Sequence, residues 1–225
     1  MQRPAQAPRA RGRWTKYLVD LSPLLLLLVG RASLADHYHV PSGSMEPTLQ
    51  VKDHIVVDKR AYGLRVPLTH LWLTEHEPQR GDVILFDSPV DGRVMVKRLV
   101  GLPGDRIAFD GESLLLNGER IPQHLTPDGT RLEFLPGALH PLHPETDQGP
   151  PLSEVEVPAR NYLVLGDHRG NSADSRYWGF VPRENLLGRA VAVVYSQREG
   201  LSAGERWWLP LLPEEGTGLD PRLTR

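Results

Sequence analysis

The chain has no cysteine, which removes thiol catalysis, disulfides and zinc–thiolate sites from consideration at once. It also has no excess of either charge. Its 26 Lys and Arg against 28 Asp and Glu leave a net charge of −2, so nothing points to a polyanion-binding surface and a nucleic-acid partner is not expected. Long apolar runs are missing except for one, Leu24-Leu25-Leu26-Leu27-Leu28-Val29 near the N-terminus. What the 225 residues do hold in quantity is glycine and proline, 21 of each. With Val, Leu and Tyr spread through short runs, this composition predicts a turn-rich, mostly β fold of antiparallel sheets.

The apolar run follows a flank of Arg3, Arg9, Arg11, Arg13 and Lys16 with no acidic residue. A positive flank ahead of hydrocarbon is a membrane-targeting signal, and the positive-inside rule keeps residues 1–16 cytoplasmic. Residues 17–35 are expected to form one transmembrane anchor, stretched by snorkelling and local thinning because a spanning helix needs about 20 apolar residues. Ser33-Leu34-Ala35 also has the small-residue spacing of a leader cleavage site. Arg31 interrupts the usual approach to such a site, which favours an uncleaved anchor. Residues 36–212 are then expected to form an extracytoplasmic domain, and 213–225 a polar tail.

Three stretches carry candidate chemistry. Val40-Pro41-Ser42-Gly43-Ser44-Met45-Glu46-Pro47-Thr48-Leu49 presents two hydroxyls on a bend stiffened by prolines, with Gly43 free to take a positive φ. Alternation along the predicted strand Val94–Val100 places Lys97 beside Met95 and Leu99, where burial would disfavour the charged amine and make it a base. Gly166-Asp167-His168-Arg169-Gly170-Asn171-Ser172-Ala173-Asp174-Ser175-Arg176 is dense in small polar and charged groups between apolar strands at 161–165 and 186–195, as suits a loop braced by its own hydrogen bonds. Further strands are expected at 51–58, 83–86, 106–109, 113–116 and 119–121, with an Asn117-Gly118 hairpin turn. Proline-rich residues 122–158 are expected to be a long excursion with little regular structure.

Together these stretches, with Gly101-Leu102-Pro103-Gly104-Asp105, strongly resemble the boxes of the bacterial type I signal peptidases, in order and in approximate spacing. The resemblance implies a Ser–Lys dyad in which Ser44 is the nucleophile and Lys97 the general base. It implies an oxyanion hole from the Ser42 hydroxyl and the Ser44 N–H, and orientation of the amine by Ser172. Gly166, Asp167, Asp174 and Arg176 would support the site, while Val40, Pro41, Met45, Met95 and Val96 would contribute to substrate binding. The substrates implied are secretory preproteins, cut after small residues at a bacterial inner membrane, with lipid as the other partner and no cofactor or metal. Two positions depart from the family pattern: His168 stands where Asn is usual, and Gly170 where Asp is usual.

The nine histidines allow other sketches. Ser44 with His54 and Asp53 or Asp58 could be drawn as a hydrolase triad, and His37-x-His39 or His140-x-x-His143 as metal ligands. Pairs without a third ligand are usually solvated or packed imidazoles. Trp207-Trp208 suits either lipid headgroups or core packing. A specialised pilin-processing relative with a cleaved leader, and a tethered module that binds exported chains without cutting them, are the competing functional readings.

Overall fold

The computed structural model describes residues 17, 20, 22, 23, 35–64, 73–127, 129–145, 147–197 and 207–211. Nearly all of the expected anchor therefore lies outside the described residues, as do Trp72 and the C-terminal tail. Among the described residues no helix is long and apolar enough to cross a membrane.

The described chain is mostly β, as composition predicts. In order, the strands are β1 (Ala35–His39), β2 (Asp53–Asp58), β3 (Val83–Asp87), β4 (Val94–Gly101), β5 (Arg106–Phe109), β6 (Leu114–Leu116), β7 (Glu119–Arg120) and β8 (Gln123–Leu125). They continue with β9 (Arg131–Leu135), β10 (Ala138–Leu142), β11 (Leu152–Glu156), β12 (Asn161–Leu165), β13 (Val181–Pro182), β14 (Leu186–Ser196) and β15 (Leu209–Pro210). One short helix, α1 (Ser175–Trp178), lies between β12 and β13.

Three antiparallel sheets result. The largest runs β1-β2-β14-β3-β4-β12-β13, with β15 paired to β14, and the smaller two run β10-β9-β8 and β11-β5-β6-β7. Strand β3 shows why the large sheet sits inside the molecule. Its Val83 and Leu85 pack in one apolar cluster with Val40, Met45, Leu49, Ile55 and Val57, while Ile84 and Phe86 pack in another with Tyr62, Leu99, Tyr162 and Val164. A strand apolar on both faces must be covered on both faces. A third cluster, around Ile107, Phe109, Leu114, Leu135, Leu163 and Leu165, joins the smaller sheets to β12. β14 bends through register shifts so that its first half pairs with β3 and its second with β2.

Asn117 and Gly118, at φ of 54° and 85°, make the expected turn between β6 and β7, since both central residues of such a hairpin need positive φ. Residues 122–158 depart from expectation: they contain β8, β9, β10 and β11. Pro141 obscured β10, but β10 is an edge strand, where a missing N–H leaves no bond unmade. Glu133 and His140 share the buried positions of β9 and β10 with Leu135 and Leu142, so the apolar alternation that marks a strand is broken at the middle of each. β1 was likewise invisible, because its exposed Ala-Asp-His-Tyr-His has no apolar face.

Candidate active site

The bend that carries Ser44 is a single 3-10 turn, Gly43–Met45, entered through Ser42 and left through Glu46, both in extended backbone. Met45 and Leu49 anchor it from beneath, each fully buried, and Leu49 N–H donates to Met45 O at 2.8 Å. Gly43 does not use the left-handed conformation that its residue type allows. A Cβ there would come within 3.1 Å of the Glu46 carboxylate, the flexible end of a half-buried side chain that can give way.

Lys97, on β4, is 3% exposed and its Nζ lies 2.6 Å from Ser44 Oγ. Burial pulls the amine down from its ordinary 10.5 to about 8, opposed by the negative charges of Asp174 and Asp167 and assisted by Arg176. The amine is therefore part-neutral near physiological pH and already in contact with a hydroxyl. Ser42 Oγ donates to Ser44 Oγ at 3.4 Å, on the exposed side of the bend.

Beneath the pair, the 166–176 loop is a web of buried charges. Asp167 accepts from Arg98 Nε at 2.7 Å and Nη2 at 2.6 Å, and from Thr48 Oγ1 at 2.5 Å. Arg98 thus ties β4, the serine bend and the loop together, and its Nη1 also donates to Gly81 O at 2.7 Å. Asp174 accepts the Gly166 N–H at 3.0 Å, the Arg176 N–H at 3.3 Å and two bonds from the Arg176 side chain, both at 2.8 Å. Gly166 is required by contact: a Cβ on it would lie 2.3 Å from Ser172 Oγ and 2.5 Å from the Ser44 carbonyl oxygen. Ser172 is buried against Gly166, and its hydroxyl makes no hydrogen bond among the described residues.

The expected substrate-binding residues divide by exposure. Pro41 is exposed, and Met95 and Val96 are half-buried. Val40 and Met45 are core residues at 1% and 0% exposure, so they shape the bend from below and offer no contact surface in this conformation.

Sequence reasoning missed the second layer of charge. Arg169, 1% exposed, donates to both oxygens of Glu133 on β9, at 3.1 and 2.5 Å, and His140 Nε2 lies 3.3 Å from the same carboxylate. The positive charge of Arg169 and the neighbouring His140 hold the Glu133 carboxyl far below its usual range despite burial. These contacts cross 36 positions of chain, and only the ionisable residues at strand positions of the excursion hinted at them.

The Ser44–His54 triad and the His140–His143 pair are not what the fold assembles, while His37 and His39 both lie against His54. His54 stacks on Tyr195 at 4.2 Å, with His37 and His39 at its other sides, while Asp53 accepts from Gln50 N–H and Asp58 from Arg60. Ser44 is bonded instead to Lys97 and Ser42. His140 and His143 part company, His140 toward Glu133 and His143 into a stack on His168 at 3.8 Å. Trp207 and Trp208 are 65% and 59% exposed, which excludes core packing.

A family model described as signal peptidase, peptidase S26, matches residues 13–195. Among curated proteins, the chain is 39% identical over 199 residues to signal peptidase I of Pseudomonas fluorescens, a match covering 78% of this chain and 70% of that one. It is 38% identical over 193 residues to signal peptidase I of Pseudomonas aeruginosa, covering 76% and 68%. A probable signal peptidase I-2 of Synechocystis is 35% identical over 185 residues, covering 79% and 71%. Among solved structures, a signal peptidase I from Enterococcus faecalis matches 51% of this chain and 97% of its own, with 32% identity and a TM-score of 0.36.

Proposed function

The chain belongs to the signal peptidase I family of serine endopeptidases, and on that premise we propose that it removes N-terminal signal peptides from secreted preproteins by a Ser44–Lys97 dyad. The observation that carries this reading is the 2.6 Å approach of a buried, partly neutral amine to a serine hydroxyl on a rigid turn. In the proposed mechanism the neutral Lys97 takes the Ser44 proton as Oγ attacks the scissile carbonyl, then returns it to the leaving amine. The Ser42 hydroxyl and the Ser44 N–H receive the developing oxyanion, where each donor is worth about 3 kcal/mol. Ser172 positions the amine in this reading, and the paired charges Arg98–Asp167 and Arg176–Asp174 hold the loop that bears on it.

The substrate segment lies extended past Pro41, Met95 and Val96, recognised through backbone as an added strand and limited to small side chains by the volume left beside the bend. Cleavage after Ala-x-Ala-type sequences follows from that limit. Residues 1–16 remain cytoplasmic, residues 17–35 anchor the chain once in the bacterial inner membrane, and residues 36–212 work on the periplasmic side. The exposed Trp207 and Trp208 suit a face resting on lipid headgroups, where indoles are favoured.

The test is cleavage of a purified preprotein by the full chain in detergent, with the new N-terminus sequenced. Wild type is expected to cut after a small residue, and Ser44→Ala and Lys97→Ala are expected to be inactive. Absence of turnover by the wild type, with the precursor still bound, would identify a tethered binding module instead.

A further inference from the structure

His168, in the 166–176 loop, grips the serine turn at two points. Its backbone N–H donates to the Ser44 carbonyl at 3.2 Å, and its ring Nδ1 lies 3.3 Å from the Gly43 carbonyl oxygen. The carbonyls immediately before and after the Ser44 Cα are thus both held by one residue. The ring is held in turn. Its Nε2 lies 2.8 Å from Glu145 Oε2, and His143 stacks on it at 3.8 Å with an interplanar angle of 13°. His143 is itself tied to the loop by its N–H, which donates to Asp167 O at 3.0 Å. A carbonyl oxygen only accepts, so the Gly43 contact uses a proton on Nδ1, and a ring with a proton on each nitrogen serves both oxygens at once.

Packing alone would be met by any ring of this size, so what singles out His168 is the group its Nδ1 meets. The Gly43 carbonyl and the Ser44 N–H belong to one peptide unit. The single cis bond among the described residues is Glu46–Pro47, so this unit is trans, and in a planar trans unit the two groups point opposite ways. Fixing the oxygen fixes the direction of the N–H. Gly43 O also accepts from the Glu46 N–H at 3.1 Å, the bond that closes the turn, so two donors hold it. The N–H groups of a first helical turn have no acceptor within that turn, and the Ser42 side chain does not cap this one.

We infer that His168 is the positioning residue of the oxyanion hole: its Nδ1–H, bonded to the Gly43 carbonyl, aims the Ser44 N–H at the oxygen of the scissile carbonyl. The inference rests on the proteolytic reading above and deepens it. Aim matters because a donor stabilises developing charge only if it already points where that charge appears. Strength follows as well, since a peptide whose carbonyl is engaged presents a more polarised N–H. Glu145 and His143 act one step further out, keeping the ring in place. The ring's bonds go to Gly43 and Glu145, whereas Ser44 Oγ is engaged by Lys97. Loss of the ring therefore leaves nucleophile and base paired and acts on the transition state through the turn.

The test is kinetics of the full chain in detergent on a purified preprotein, together with two affinities. One is for a peptide boronic acid, which adds to the Ser44 hydroxyl as a tetrahedral mimic of the transition state, and the other is for a peptide whose scissile bond has been reduced. His168→Leu is expected to lower kcat about 10–100-fold, short of the 10²–10³-fold that follows outright loss of a donor, with KM unchanged. Affinity for the boronic acid should fall by the same factor while affinity for the reduced peptide holds, a split that partial unfolding does not produce. His168→Asn, whose Nδ2 sits on the same branch as Nδ1, should recover most of the rate. His168→Gln, whose amide reaches toward Glu145 instead, should not. Wild-type kcat and boronic acid affinity in His168→Leu would overturn the inference, and so would equal losses in the Asn and Gln variants. If the wild type itself cuts nothing, the proteolytic reading fails and this inference falls with it.

Discussion

At the scale of single residues, Lys97 concentrates the chemistry and its cost. Because its amine titrates near 8 rather than 10.5, the base form is a minority of about one in ten at pH 7 and the majority above pH 8. The rate constant kcat/KM is therefore expected to rise with pH through about 8, read from a pH–rate profile. Lys97→Arg should lose at least 10²–10⁴-fold in rate despite keeping the charge, since guanidinium does not deprotonate at workable pH. Burial has a thermodynamic counterpart. Between about pH 8 and 10.5 the unfolded chain binds more protons than the folded one, so stability rises with pH across that window. Below it the folded state carries a penalty on the order of 3 kcal/mol. Lys97→Met is expected to be inactive yet more stable than wild type at pH 7, by denaturant melts, with the advantage shrinking as pH rises from about 8 and lost above about 10.5. Much at this scale was legible: small residues between prolines do form a stiff turn, and alternation does bury Lys97. What no local pattern revealed is that Glu46 folds back over Gly43, which does not take the positive φ open to it.

At the scale of elements, the lesson lies in residues 122–158. Prolines and polar residues made this stretch look irregular, yet β9 and β10 use Glu133 and His140 where a strand usually presents Leu or Val. Those buried positions become intelligible only beside Arg169, which sits in another loop. A sheet whose inner face interleaves charge with hydrocarbon, Glu133 with Leu135 and His140 with Leu142, has only a weak signature in periodicity. Removing the carboxylate by Glu133→Ala leaves a buried guanidinium without its counter-ion, and the expected loss is about 3–5 kcal/mol. The measurement is a denaturant melt, and activity should fall with it because Arg169 Nε also donates to Gly166 O at 3.1 Å. Gly166→Ala should act more locally, pushing Ser172 and the Ser44 carbonyl apart. It is expected to cost about 1–3 kcal/mol and to depress kcat more than that loss of stability explains. The central strands β3, β4, β12 and β14, with their runs of branched and aliphatic residues, were recognisable from sequence because they are buried against apolar neighbours.

At the scale of the whole molecule, the three sheets share one organising consequence: the serine turn, the lysine strand and the bracing loop all meet where the large sheet joins the smaller ones. Strand β1 adds another. It begins at Ala35, directly after the proposed anchor, and pairs along its whole length with β2 from Ala35↔Asp58 to His39↔His54. Replacing Trp207 and Trp208 together by Ala is expected to weaken binding of the domain to anionic vesicles severalfold in a sedimentation assay, with soluble-peptide turnover unchanged. From Ala35 to Ser44 the chain has only nine steps, a leash of at most about 30 Å even if fully drawn out, and stapled into a sheet it cannot slacken. If residues 17–35 anchor the chain as proposed, a protease so tethered would work in a thin shell of water against the bilayer, where a leader still lodged in lipid offers its exit point, and folded proteins drifting free of the membrane would pass beyond its reach.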